Sequence, residues 1–259
     1  MWRRIRLRPR AHTPSPIATT PSAHAQTPRG SVDCTASNRG LFAGLLSLVI
    51  VASSLIAYFV LVGVTRLTAN VVAVGAEALV HLLSVGAMLI AAWRVRDMCF
   101  TRKIDKSRKL EVALLLVAFA ALATHCCTHL LAAVLMSPFS VHTHLLLARS
   151  AATLLQSVVQ TVFICCCLHR SARTLTHAQS KPGREYVTFV LICNLALWAG
   201  AMVEPLRLAR DELMTSIRAP DVIVWSVVTQ LCLPLAIFFR FHSAVCLASV
   251  WSHMYKKNI

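Results

Sequence analysis

Six long apolar stretches alternate with short polar segments along the chain: Leu41–Val64, Thr68–Trp93, Leu110–Leu135, Leu145–Leu168, Tyr186–Leu206 and Val222–Val250. Each holds the roughly 20 mostly apolar residues that carry a helix across about 30 Å of hydrocarbon. None shows the alternating segments of about ten residues that build a membrane β-barrel. The pattern therefore predicts an all-α, polytopic membrane protein with six transmembrane helices. Ahead of them, residues 1–40 are rich in Arg, Pro, Ser and Thr and too polar to pack; a disordered basic segment is expected there, followed by a six-helix domain over 41–259. That segment has no short apolar core with a cleavage site, so it does not read as a secretory signal peptide.

Composition agrees with a bilayer setting. The 259 residues are 57% hydrophobic and 14% charged, whereas a soluble domain averages about 45–50% and about 25%. The formal net charge of +16 could suggest nucleic acid, but the basic residues gather between the apolar runs instead of spreading over a folded face. Seven Arg precede the first span, seven Arg or Lys fill Arg94–Lys109, and Arg170, Arg173, Lys181, Arg184, Lys256 and Lys257 fall on the same side. The opposite side has only Arg66, Arg207, Arg210 and Arg218. The excess of positive charge predicts that both termini are cytoplasmic. The charge is then an orientation signal, with some attraction to anionic lipid.

Ionisable side chains inside the spans cost about 2.5–3.5 kcal/mol each on insertion scales, so each needs a reason. In the second span Asn70, Glu77, His81 and Ser84 fall on one helical face, and Glu77 and His81, at i and i+4, are placed to share a proton or form a pair, or else to make a single structural hydrogen bond to a neighbouring helix. In the fourth, Arg149, Thr153, Gln156 and Gln160 form another stripe, suited to gluing helices together or lining a water path. The fifth carries Asn194, Trp198 and Glu204; Glu204 suits a cation-attracting mouth or an i, i+3 pair with Arg207. The sixth carries Thr229, Gln230, Pro234, Arg240 and His242. Thr229 and Arg240, eleven residues apart, share a face unless Pro234 kinks the helix strongly, and Arg240 is too deep to snorkel fully, so an acidic or carbonyl partner is expected. His125 and His129 read either as sensors of external pH or as interfacial histidines without a special task.

Other signals narrow the function. No P-loop, GxSxG or dinucleotide glycine fingerprint is present, and the loops are too short for a catalytic domain, so neither an enzyme nor a cofactor is expected. Eight glycines argue against a transporter with unwound helices. No zinc-ligand spacing appears, and most of the ten cysteines suit packing inside spans; Cys165, Cys166 and Cys167, at a helix end, also suit acylation.

The sixth span carries a more specific signal. Its Thr229-Gln-Leu-Cys-Leu-Pro234-Leu-Ala-Ile-Phe-Phe-Arg240-Phe-His242-Ser resembles the last membrane helix of the otopetrins, proton-selective channels opened by external acid. Asn194-Leu-Ala-Leu-Trp198 with Glu204, Gln156-Ser-Val-Val-Gln160 and Gly40-Leu-Phe-Ala-Gly44 resemble three earlier helices of that family in the same order. The resemblance covers residues 38–257 and falls on the second of the family's two six-helix halves. It implies a plasma-membrane proton channel that assembles as a homo-oligomer, with no nucleic acid among its partners. It also implies that Glu204, Arg240 and His242 serve the proton path or its gating, and that Gln156, Gln160 and Asn194 form a polar network between helices; Glu77 and His81 join the path or gating candidates on their place in the polar face of the second span, not on the resemblance. Gln230 departs from the family in standing where many members have His, and Cys165–Cys167 replace a more polar stretch. With no counterpart of the first half, the alternative is a non-conducting or truncated half-channel that needs a separate six-helix partner.

Overall fold

The computed structural model describes residues 37–100, 106–135, 140–172, 180–208 and 219–255. The expectation of disorder ahead of the first span falls on residues outside this set, apart from the last few before Leu41. The described residues hold six helices long and apolar enough to cross a membrane. They are α1 (Asn38–Leu61), α2 (Arg66–Arg94), α3 (Lys106–Leu135), α4 (Val141–Leu168), a fifth span built from α5 (Arg184–Ala201) and a short α6 (Glu204–Leu208), and α7 (Ala219–His253). Each of the six apolar stretches thus becomes one span, with ends shifted by a few residues. The chain is a multi-pass membrane protein.

The helices form a closed ring in the order α1, α2, α4, α3, α7, α5, and α2–α5 and α4–α7 contacts cross its interior. Lipid tails are as apolar as leucine, so helices in a bilayer gain little from burying apolar surface against one another; small residues that permit close approach do more. On α1 the buried face is Gly40, Gly44, Ser47, Val51, Ser54 and Tyr58, while Leu41, Phe42, Leu45, Leu46 and Val49 face outward. A Cβ placed on Gly40 would stand 1.8 Å from the carbonyl oxygen of Glu185, and one on Gly44 would stand 2.7 Å from Cβ of Ile192. These two glycines set the α1–α5 spacing. On α2, Ala69, Ala73, Ala87 and Ala91 do the same at either end of the buried stripe that also holds Glu77, His81 and Ser84.

One end of the bundle is stapled by polar contacts. Beyond α2 and α4 the chain makes a two-residue antiparallel ladder, β1 (Cys99–Phe100) with β2 (Arg170–Ser171), pairing Cys99 with Ser171 and Phe100 with Arg170. An all-helical expectation missed it, because such pairing becomes available only where the chain leaves the hydrocarbon. Arg170 donates to the Val95 carbonyl and lies 4.9 Å from the Phe100 ring. The Arg184 guanidinium sits 3.8 Å over the Trp251 ring, Trp251 Nε1 donates to Ser37 Oγ at 3.4 Å, and Tyr255 Oη donates to the Pro182 carbonyl at 2.9 Å. Burial holds the Tyr255 phenol above its ordinary range. Ser37 and Tyr255, the first and last described residues, therefore lie at the same end. Pro234 does not interrupt α7, which is continuous through it.

Gly40→Val would press a branched side chain onto the α5 backbone, which cannot yield. Overpacking of this kind costs about 1–3 kcal/mol, and a lowered melting temperature in detergent is expected. Gly86→Ala, where an added Cβ meets nothing within 4 Å, is the control and should leave melting unchanged or raise it slightly.

Candidate functional site

Within the ring the polar residues form three layers. The first lies toward the end away from Ser37 and Tyr255. Glu77, eleven residues along α2 from Arg66 and roughly 16 Å by helix rise, meets two arginines. Arg149 Nε donates to Glu77 Oε2 at 2.8 Å, and Arg207 Nη1 donates to Glu77 Oε1 at 2.5 Å. The two remaining arms of Arg149 hold Glu204, with Nη1 to Oε1 at 2.6 Å and Nη2 to Oε2. Arg149 is thus a fork with Glu77 on one side and a bidentate Glu204 on the other, the geometry a planar guanidinium favours. Arg207 also lies 4.8 Å from the Tyr58 ring, which ties α1 to the cluster. Two arginines face two carboxylates, so the layer is neutral in sum.

This pairing departs from the expected local pairs. Glu204 binds Arg149 across 55 positions, not Arg207 at i+3, and Glu77 is occupied by guanidinium groups, so it does not share a proton with His81. Helical spacing shows only which residues share a face; the partners here come from other helices. His81 Nε2 instead lies 3.3 Å from Thr153 Oγ1.

The second layer is an amide network at mid-bundle. Gln156, Gln160 and Asn194 are all 0% exposed. Gln156 Nε2 donates to Gln160 Oε1 at 2.7 Å. Gln160 Nε2 donates to Asn194 Oδ1 at 2.9 Å, and Asn194 Nδ2 returns a bond to Gln160 Oε1 at 2.8 Å and another to the Val190 carbonyl at 2.9 Å. Arg240 Nη1 donates to Gln156 Oε1, so a side-chain amide supplies the carbonyl partner that its depth requires. The bonds run in one chain from α7 through α4 to α5. In a low-dielectric interior such a chain strengthens itself by mutual polarisation.

A cavity of about 90 Å³ separates and joins these layers, lined among others by Glu77, His81, His125, His129, Arg149, Glu204 and Arg240. The rings of His125 and His129 stand 4.4 Å apart beside it, so the pair borders the same space as the charged layer. The third layer lies beyond the amides. His242 is stacked on Phe238 at 5.2 Å, and its Nε2 donates to the backbone carbonyl of Glu111 at 3.0 Å. The same Glu111 accepts from Ser249 at 3.4 Å and borders a second cavity of about 270 Å³ with Arg108 and Arg170. His242 is therefore separate from Glu77, His81, Glu204 and Arg240, which the structure brings around one space. Trp198 packs on Phe241 at 5.7 Å, Thr229 is buried, and Gln230 is exposed. No group of three or more His, Cys, Asp or Glu able to hold a metal occurs among the described residues.

A family model for otopetrins matches residues 1–241. This chain belongs to the otopetrin family. It is also 32% identical over 261 residues to the proton channel OtopLc of Drosophila melanogaster. That match takes in 99% of this chain and 16% of the relative, so the chain spans about a sixth of that protein's length.

In this otopetrin two residues carry more of the site than their sequence context signals. Arg149 sits in the polar stripe of α4, yet its place as the hub between two carboxylates depends on the ring order of helices. Glu111, near the start of α3, looks like an ordinary interfacial acid until His242 is found against its backbone. The only sequence signal for Arg149 was a permanent charge deep in an apolar stretch with no acid at i±3 or i±4.

Arg149→Gln leaves Glu77 with one guanidinium and Glu204 with none. A loss of about 3–5 kcal/mol is expected, the cost of stranding a buried charge. Adding Glu204→Gln to Arg149→Gln should recover part of it, with a coupling of at least about 1 kcal/mol in a thermal double-mutant cycle. Strict additivity would show that the fork does not operate.

Proposed function

We propose that the chain conducts protons across the plasma membrane in response to external acid, with both termini cytoplasmic. The observation that carries this reading is the polar column itself. Between apolar outer faces, a charged cluster, a cavity and a hydrogen-bonded amide chain follow one another along the bundle. The relative named as a proton channel supports it, as does the concentration of basic residues at the end that holds Ser37 and Tyr255.

The mechanism follows from the layers. The cavity has room for a few waters, each taking about 30 Å³, and water next to Glu77, Glu204 and the histidines offers sites between which protons hop. External acid acts on the pairs that Arg149 holds. When Glu204 takes a proton, its attraction to the guanidinium falls and the fork loosens, so the layer that closes the bundle opens to water. Below it, Gln156, Gln160 and Asn194 exclude a continuous water file while their mutual bonds last, and each amide both donates and accepts. Sodium and potassium, which must pass as bodies, are stopped at the amide set beside Arg240, whereas a proton crosses as a shift of bonds in a water and amide chain. His242 and Glu111, bordering the route toward the second cavity, serve release on the cytoplasmic side.

A second reading, that these six helices form one half of a channel and conduct only beside another six-helix half, fits the 16% of the relative that the chain covers. Both readings are tested by recording from cells that expose the chain at their surface. Acid-evoked inward current that persists when sodium is replaced supports conduction by this chain. Current that appears only on co-expression with a six-helix partner supports the second reading, and none under either condition overturns both. Within a conducting protein, Glu204→Gln imitates the protonated state and should shift opening toward neutral pH. Asn194→Leu should cut current more than tenfold at equal surface abundance, because it breaks the amide chain. A terminal epitope that antibodies reach before permeabilisation would overturn the orientation.

A further inference from the structure

The charge around the central cavity does not balance. Among the described residues Arg149 and Arg207 are matched by Glu77 and Glu204, but Arg240 is 4% exposed and meets only the neutral Gln156 oxygen and the Phe239 ring, 5.8 Å from its guanidinium carbon. A guanidinium has five N–H donors and cannot be neutralised by losing a proton at ordinary pH. An ion of this kind, taken out of water, needs a counter-charge, because a neutral acceptor recovers little of its lost solvation. The groups that face Arg240 supply none. Leu233, Ala236 and Ile237 on its own helix, Leu122 and Cys126 on α3, and the Gln156 amide on α4 are neutral. The two carboxylates at the cavity are held by other arginines.

The same cavity offers further donors. His81 is 5% exposed; if its Nε2 accepts from the Thr153 hydroxyl, its buried, unpartnered Nδ1 carries the proton. His125 Nδ1 is likewise buried without a partner, and the Ser150 side chain lines the same wall. One guanidinium in excess of the carboxylates, the His81 Nδ1–H and a hydroxyl around about 90 Å³ make a donor-rich space with a net positive charge among the described residues.

We propose that this cavity binds one small monovalent anion of the halide class beside Arg240. The space takes a chloride, not much larger than a water molecule, with one or two waters. It does not take gluconate, and a divalent sulfate would overcompensate a single positive charge at a large desolvation cost. The anion makes the interior neutral as a whole and completes the shell of Arg240 that Gln156 begins. The inference is independent of conduction and is tested on the purified protein without any current.

Melting of the full chain in detergent is followed as sodium gluconate is exchanged for sodium chloride or bromide at constant ionic strength. A saturable rise of a few degrees is expected with either halide, since a ligand that binds only the folded state stabilises it by mass action. Bromide should also give an anomalous scattering peak within hydrogen-bond distance of Arg240. Arg240→Gln should remove the halide response. Should that variant not fold, Ala236→Asp serves instead: it sets a carboxylate one turn before Arg240 on the same cavity wall, and should abolish the response by supplying the counter-charge internally. Equal melting in chloride and gluconate overturns the proposal, and so does an unchanged halide response in Ala236→Asp.

Discussion

The arrangement of this bundle depends on the need to pair Arg149. A guanidinium among apolar helices is tolerated only when its donors are met, and Arg149 meets them with carboxylates from two other spans. Glu77 then receives Arg207, and Arg207 rests on Tyr58, so one charged group ties together four of the six spans. In a soluble protein the hydrophobic effect would hold the helices and such a cluster would be an addition to it. Lipid provides no comparable drive, so polar contacts and close-approach glycines carry much of the specificity. The same pairs that fix α2 against α4 and α5 are the groups a proton would reach first from that end of the bundle.

The layers differ in how they can respond. A carboxylate–guanidinium layer changes its charge when a proton arrives. An amide layer has no titratable group; it can only exchange bond partners, and its three members satisfy one another in a closed set with the Val190 carbonyl and Arg240. The end that holds Ser37 and Tyr255 is fixed by contacts of another kind, guanidinium groups over aromatic rings and bonds to backbone carbonyls, which no change in carboxylate charge disturbs. The bundle thus has an end held by carboxylate–guanidinium pairs, a middle held by amides, and an end pinned by aromatic and backbone contacts.

Much of this was legible in the sequence, and what was not has a common cause. The six spans follow from apolar runs of 20 to 30 residues, a signal set by the bilayer and indifferent to neighbours. The three amides were legible as a network because glutamine and asparagine inside lipid have few alternatives. Pairing was harder. The sequence offered His81 to Glu77 and Arg207 to Glu204 as neighbours one turn away, and both carboxylates took the more distant Arg149, because its fork satisfies two acids at once and a local contact cannot. His242 stood two residues from Arg240 in the same motif, yet consecutive even positions on a helix diverge by about 200°, so one faces the cavity wall and the other faces α3. The ladder of Cys99–Phe100 with Arg170–Ser171 had no pattern to announce it, being two residues long.

The contrast between Arg149 and Arg240 extends this reasoning. Both are permanent charges inside the bundle, and both border the same cavity. Arg149 is bonded to carboxylates, which a proton can neutralise, so in the proposed mechanism protonation weakens its bonds and the helices it joins part. Arg240 is bonded to an amide whose acceptor strength does not change with pH, so its position is steady while the first layer moves. In the proposed mechanism the closed amide set is the filter, with or without an anion beside Arg240: it stops any cation that must pass as a body, and leaves a path for a charge that passes as a rearrangement of bonds. Placing the steady arginine on the longest continuous helix, through a proline that leaves it unbroken, keeps it in register with Gln156 while the other end yields.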